Sequence, residues 1–162
     1  MFGTLKKLFG GSSEKKQVLA PVSGRVIPMK EVADPTFSEE ILGKGVAIVP
    51  TEGKFVAPVS GEVVVMFETK HAVSIRTEYG MELIVHIGLD TVNLKGQYYT
   101  AHVKQGDRVK AGDLLVEVNL EAVKAAGYDV TTPVIICNTP DYPDMVCHTG
   151  IEVKALEPII DL

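Results

Sequence analysis

Tryptophan is absent from this 162-residue chain, and phenylalanine and tyrosine together make only 6% of it. A core must therefore come from small branched side chains, Val and Ile above all, which suit a pleated sheet better than a helix bundle. Cysteine is nearly absent too. Cys137 and Cys147 stand ten apart, too few for a disulfide framework and without the CxxC spacing of a metal knuckle, so both read as free thiols of a reducing compartment. No apolar run reaches membrane-spanning length, and no signal-peptide pattern opens the chain. An excess of positive charge is also missing: 16 Lys and Arg against 21 Asp and Glu leave a net charge of −5, spread without a basic stripe, which excludes a nucleic-acid footprint. These absences point to a cytoplasmic chain of single-domain size, able to bury about 70% of its unfolded surface.

What the chain does have is turn chemistry. Gly, Pro, Asp and Asn separate short apolar runs at Gly24-Arg-Val-Ile27, Gly45-Val-Ala-Ile-Val49, Gly61-Glu-Val-Val-Val-Met66, Leu114-Leu-Val-Glu-Val118, Thr132-Pro-Val-Ile-Ile136 and Ile151-Glu-Val-Lys154. One helical turn or two is expected around Leu120–Ala126, stopped by Gly127. The expected fold is all-β, a sandwich or flattened barrel with short helical turns. An internal repeat supports it: Ala20-Pro-Val-Ser-Gly24 returns as Ala57-Pro-Val-Ser-Gly61, and each copy leads into a strand. Two Gly-Asp turns flank a short strand within 103–115. At the start, Phe2, Leu5, Leu8 and Phe9 form an apolar stripe beside Lys6 and Lys7, followed by Gly10-Gly-Ser-Ser13. Residues 1–17 are expected to be a flexible amphipathic segment that makes weak contact with an anionic membrane through residues 1–9, and 18–162 the folded domain.

The chemistry centres on two histidines. His71 and His86 bracket a β-rich stretch with a polar turn at Thr77-Glu-Tyr-Gly80. If the turn centres between Glu78 and Tyr79, the two histidines face each other across a hairpin, whereas a Gly bulge would shift the register by one. Thr69 stands two residues before His71, Gly88 is expected to leave an open approach to His86, and Asp90 to orient or polarise one of its ring nitrogens. A neutral imidazole is nucleophilic at one nitrogen when its other nitrogen is held by an acceptor. The pair could also bind zinc, but two ligands are too few without a carboxylate from a partner, so no intrinsic metal or cofactor is expected. His102 and His148 lack such company. Cys147 and His148, adjacent on a strand, would point to opposite faces and form no dyad. Phe37 and Ile41, next to acidic side chains, are read either as an interface patch or as core packing on one helical turn.

At these residues the chain resembles the glucose-type enzyme IIA component of the bacterial phosphoenolpyruvate-dependent sugar phosphotransferase system. The likeness runs from about Val18 to Leu162. It is carried by Ala20-Pro-Val-Ser-Gly24, Asp34-Pro35 with Phe37, Phe67-Glu-Thr-Lys-His-Ala72, Val85-His-Ile-Gly-Leu-Asp-Thr-Val92, Leu94-Lys-Gly96 and Gly106-Asp-Arg-Val109. The resemblance implies a duplicated-hybrid β-sandwich with both histidines in a shallow apolar depression. It further implies that His86 accepts a phosphoryl group on Nε2 from the carrier HPr and passes it to a cysteine of a glucose-type IIB domain. His71 would steady the phosphate, and Thr69 would bond to His71. Lys44 and Tyr98 depart from the pattern, at positions commonly acidic and glycine. Without B and C domains the chain is expected to work in trans, in the cytoplasm or at the inner face of the membrane. The sugar permease it serves and any regulatory proteins leave no mark in the sequence. A lysostaphin-like zinc peptidase would need an H-x-H pair, and a lipoyl or biotinyl carrier its attachment motif; neither occurs.

Overall fold

The computed structural model describes residues 16–162, so the expected membrane-contacting segment lies outside the described residues and Gln17 already belongs to the first strand. The strands are β1 (Gln17–Leu19), β2 (Gly24–Pro28), β3 (Lys44–Pro50), β4 (Lys54–Val56), β5 (Gly61–Met66), β6 (Ala72–Arg76), β7 (Glu82–His86), β8 (Tyr99–Ala101), β9 (Arg108–Val109), β10 (Leu114–Val118), β11 (Thr132–Ile136), β12 (Val146–Cys147), β13 (Ile151–Val153) and β14 (Pro158–Asp161). Two short helices, α1 (Pro35–Ser38) and α2 (Leu120–Ala125), interrupt them. An eight-stranded antiparallel sheet in the order β13-β2-β3-β11-β7-β6-β5-β9 is joined by two three-stranded sheets, β4-β10-β8 and β1-β14-β12. The sheets do not close into a barrel; the fold is a β-sandwich.

Strand periodicity divides the apolar side chains between two cores. From one face of the large sheet, Val46, Ile48, Val73, Ile75, Leu83, Val85, Val134 and Ile136 meet Phe55, Leu115, Ile159 and Ile160 of the small sheets in the main core. The alternate residues Ile27, Ala47 and Ile135 lie on the other face, where Met29, Val32, Phe37 and Leu89 cover them in a second, smaller core. His86, at the end of β7, shares the parity of Ile84 and so of this second face.

The repeat read in the sequence is a repeat of hydrogen bonding. Ser60 Oγ accepts the Ala111 amide at 2.9 Å, and Ser23 Oγ accepts the Ala155 amide at 3.0 Å. The Ala57 carbonyl takes the Gly112 amide and the Ala20 carbonyl the Leu156 amide, both at 2.8 Å. In each copy a Pro-Val-Ser-Gly corner is thus pinned to a distant tight turn, and the following strand leaves in a fixed direction. Gly61 is required there because a Cβ would stand 2.2 Å from the Arg76 carbonyl oxygen on β6. That contact sets how closely β5 approaches β6, the strand leading back to His71.

Gly61→Ala is expected to destabilise the protein by about 3 kcal/mol or more, because both clashing groups are backbone, whereas Ser60→Ala should lose about 1 kcal/mol for one hydrogen bond. Urea unfolding of both variants checks the order; an alanine at 61 that leaves the midpoint unmoved would contradict the packing of β5 on β6.

Candidate functional site

The strand β7 ends at His86 because the chain beyond it turns away from the sheet. Gly88 adopts φ +90°, and a Cβ on it would lie 2.5 Å from Thr91 Cγ2, so the turn admits only glycine. Gly88 is therefore buried and tightly packed, not an open approach to the ring. Its role is to bring its own carbonyl to 2.7 Å from His86 Nδ1. A carbonyl only accepts, so Nδ1 carries the proton, and the neutral ring keeps its free lone pair on Nε2.

His71 reaches this ring by a route different from the expected one. Ala72, not His71, pairs with His86, because the hairpin turn holds three residues between Thr77 and Met81 and shifts the register by one. Gly80, at φ +91°, supplies the left-handed position of that turn. In a continued strand His71 would share the inward face of Val73. Instead β6 begins only at Ala72, and the turn through Lys70, at φ +62°, releases His71 from the pleat. The His71 carbonyl accepts the Ile87 amide at 2.6 Å, and the two imidazole centroids come to 4.9 Å at 83°. Thr69 Oγ1 lies 2.5 Å from His71 Nδ1. With the hydroxyl donating, the His71 proton resides on Nε2, a donor beside the His86 acceptor.

Aromatic walls complete the depression. The Phe37 ring centroid is 4.8 Å from that of His86, and Phe67 sits edge-on 5.4 Å from His71. His71 is only 4% exposed. Burial, and then the neighbouring His86, lower its pKa to about 4. Burial also lowers the pKa of His86, countered in part by the Gly88 carbonyl and the carboxylates of Asp34 and Asp90. Both rings are therefore neutral at pH 7, the state in which one offers a lone pair and the other an N–H.

Of the two readings of Phe37, core packing is the one the structure shows: it is 5% exposed, belongs to the second core and supports His86 from beneath, away from the exposed surface at Ile41. It does not share a helical stripe with Ile41, since α1 ends at Ser38; Ile41 is 67% exposed at a groove of about 500 Å³ also lined by Leu42, Tyr142 and Met145. Of the two roles read for Asp90, the Gly88 carbonyl takes the orienting one at Nδ1, and the Asp90 carboxylate polarises the ring through its charge. The supporting parts that the sequence reading missed are Phe67 and the Gly88 carbonyl. A histidine two residues before a glycine that must take positive φ is the signal for the latter. His102 and His148 stand apart, bonded to Glu117 at 2.7 Å and Asp161 at 2.8 Å. Cys137 and Cys147 are half-buried, with thiols pushed up by burial. Among the described residues, no group of three or more His, Cys, Asp or Glu is placed to hold a metal ion.

Residues 16–142 match the family described as phosphoenolpyruvate-dependent sugar phosphotransferase system, EIIA 1. The chain is 44% identical to the PTS system glucose-specific EIIA component of Halalkalibacterium halodurans, over 94% of its own length and 93% of that protein. It is 45% identical to a beta-glucoside-specific EIIBCA component of the same organism, of whose length it spans only 24%. Its fold superposes on glucose permease IIA from Mycoplasma capricolum with a TM-score of 0.85 at 39% identity, covering 93% of this chain and 97% of that one.

The depressed His71 pKa carries a sign. Between pH 6.5 and about 4 the unfolded chain binds a proton at this residue that the folded chain refuses, so stability falls as pH falls through that window. The slope from one such group reaches about 1.4 kcal/mol per pH unit, and His71→Gln should flatten it. Unfolding free energies at pH 7, 6, 5 and 4.5 for both proteins provide the check; parallel profiles would show that His71 titrates normally.

Proposed function

The chain belongs to the phosphoenolpyruvate-dependent sugar phosphotransferase system EIIA 1 family, and from that premise we propose that it is a glucose-type phosphocarrier of sugar uptake whose His86 Nε2 accepts and delivers the phosphoryl group. The observation that carries the choice of atom is the bond from His86 Nδ1 to the Gly88 carbonyl, which leaves Nε2 as the free lone pair. In the first half-reaction that lone pair attacks the phosphorus of phospho-HPr in line. The P–N bond to the donor imidazole breaks, and its electron pair stays on the donor nitrogen. The proton on His86 Nδ1 stays against Gly88 and shares the positive charge that develops in the ring. In the second half-reaction a thiolate of a IIB domain attacks the same phosphorus, and His86 Nε2 leaves with its electron pair.

His71 serves the group in transit. Neutral, with Nδ1 held by Thr69, it presents Nε2–H to a phosphoryl oxygen. An arriving dianion raises its affinity for a proton, so the same ring can steady the phosphate without trapping it as a carboxylate–metal site would. This chemistry needs no resident cofactor; zinc on the histidine pair would require a further carboxylate from a partner. Exposed Ile41, Phe67 and Val92 offer apolar surface to HPr and IIB, and the net charge of −5 speeds encounter with a basic carrier. Relatives named EIIBCA join the same kind of domain to B and C parts, which supports a IIB partner. No helix among the described residues is long and apolar enough to cross a membrane. Weak, peripheral attachment through residues 1–9 would keep the carrier near its membrane-embedded acceptor, its lysines contributing on the order of 1 kcal/mol each.

With phosphoenolpyruvate, enzyme I and HPr, the protein should gain one acid-labile phosphoryl group, and His86→Ala should gain none. His71→Gln should still be labelled but deliver to the IIB cysteine about a hundredfold more slowly, since glutamine donates a hydrogen bond without the imidazole's proton options. Rapid-quench measurement of each half-reaction separates the two roles, and labelling that survives in His86→Ala would refute the assignment. Removing Met1 to Gly11 should abolish co-sedimentation with anionic vesicles and leave transfer from soluble HPr unchanged; vesicle binding retained by the truncated chain would remove the tether from the account.

A further inference from the structure

The peptide that follows His86 is held unusually firmly. Ile87 is 1% exposed, and its amide donates to the His71 carbonyl at 2.6 Å, tying the two histidine segments together. Its carbonyl receives two hydroxyls: Thr91 Oγ1 at 2.7 Å and Tyr99 Oη at 2.8 Å. One donor is enough to satisfy a buried carbonyl, and Thr91, four residues along the chain, already provides it. Tyr99 comes from elsewhere. Its backbone is in β8, paired to Val118 of β10, so its phenol crosses the main core from the small sheet to the end of β7. Tyr99 is itself only 4% exposed, and a phenylalanine would fill the same core space without burying a hydroxyl. The turn before it is closed by the Tyr99 amide, which donates to the Gly96 carbonyl at 3.1 Å.

We propose that Tyr99 is a positioning residue for phosphoryl transfer, its hydroxyl bracing the Ile87 carbonyl so that the next turn keeps the Gly88 carbonyl on His86 Nδ1. The Ile87–Gly88 peptide is the link between the strand and that carbonyl. The Gly88–Leu89 peptide beyond it is fixed at its other end, where the Leu89 amide donates to the Asp129 carbonyl at 2.9 Å. Holding both peptides leaves the Gly88 oxygen little freedom to swing off the ring. With the brace loosened, His86 would populate the tautomer with its proton on Nε2, which cannot accept phosphorus. The transfer half of this inference rests on the proposed phosphocarrier function; the tautomer half does not.

The test uses the full chain with Tyr99→Phe, which keeps the ring and removes the hydroxyl. In ¹⁵N-histidine NMR spectra the His86 Nδ1–H tautomer should lose population in the variant. The turnover number for accepting phosphate from phospho-HPr should fall about fivefold, the factor for one hydrogen bond, with the Michaelis constant for HPr unchanged because the phenol is buried. Thr91→Val, removing the other donor, should shift the tautomer in the same direction. A lower melting temperature with tautomer and turnover number unchanged would overturn the proposal and return Tyr99 to the core. Should the unmodified chain accept no phosphate, the phosphocarrier reading fails and the tautomer comparison alone decides the role of Tyr99.

Discussion

One hydrogen bond organises the site: His86 Nδ1–H to the carbonyl of Gly88, at 2.7 Å. It selects the nitrogen that stays free, and it exists only because β7 ends where it does and the next turn takes a positive φ at a residue with no side chain. The inward alternation of Leu83 and Val85 anchors the strand, and His86 emerges on the opposite face, above the second core. Phe37 closes that face beneath the ring. A small cluster of seven buried side chains therefore does the work of a binding wall.

The other half of the site follows from the way the chain enters β6. A histidine on a regular strand one residue before Ala72 would point into the main core, where an imidazole would be stranded. The left-handed Lys70 and the Thr69 hydroxyl bring it out to face His86 and give its Nδ1 a partner. Desolvation then keeps both rings neutral. A charged pair would repel, and a fully hydrated pair would be protonated at mildly acidic pH; the apolar depression avoids both. Neutral rings also suit a group that must be passed on, since neither forms a permanent ion pair with phosphate.

Much of this was legible in the chain. The alternating runs at 45–49, 61–66 and 132–136 became strands, and the helix stopped at Gly127 lies where its pattern put it. The Ala-Pro-Val-Ser-Gly repeat marked two corners that share their hydrogen bonds. What could not be read were features set by geometry more than by residue type. Thr77-Glu-Tyr-Gly80 is compatible with a two-residue or a three-residue turn, and only the Thr77–Met81 bonding decides that Ala72 faces His86. Polar neighbours leave Phe37 readable as interface or as core; its burial depends on a second core on the outer face of the sheet, which joins residues from 27 to 135. The partner that orients His86 is a backbone carbonyl, invisible to any scan for side chains, while Asp90 polarises the ring through charge.

The central claim is the identity of the reacting nitrogen, and ¹⁵N NMR of the phosphorylated protein with labelled histidine tests it most directly. The two ring nitrogens of a phosphohistidine differ in chemical shift and in one-bond coupling to phosphorus. Phosphorus coupled to Nε2 of His86, with Nδ1 still protonated, is the required result. Coupling to Nδ1, or to either nitrogen of His71, would show that the Gly88 carbonyl does not choose the acceptor atom.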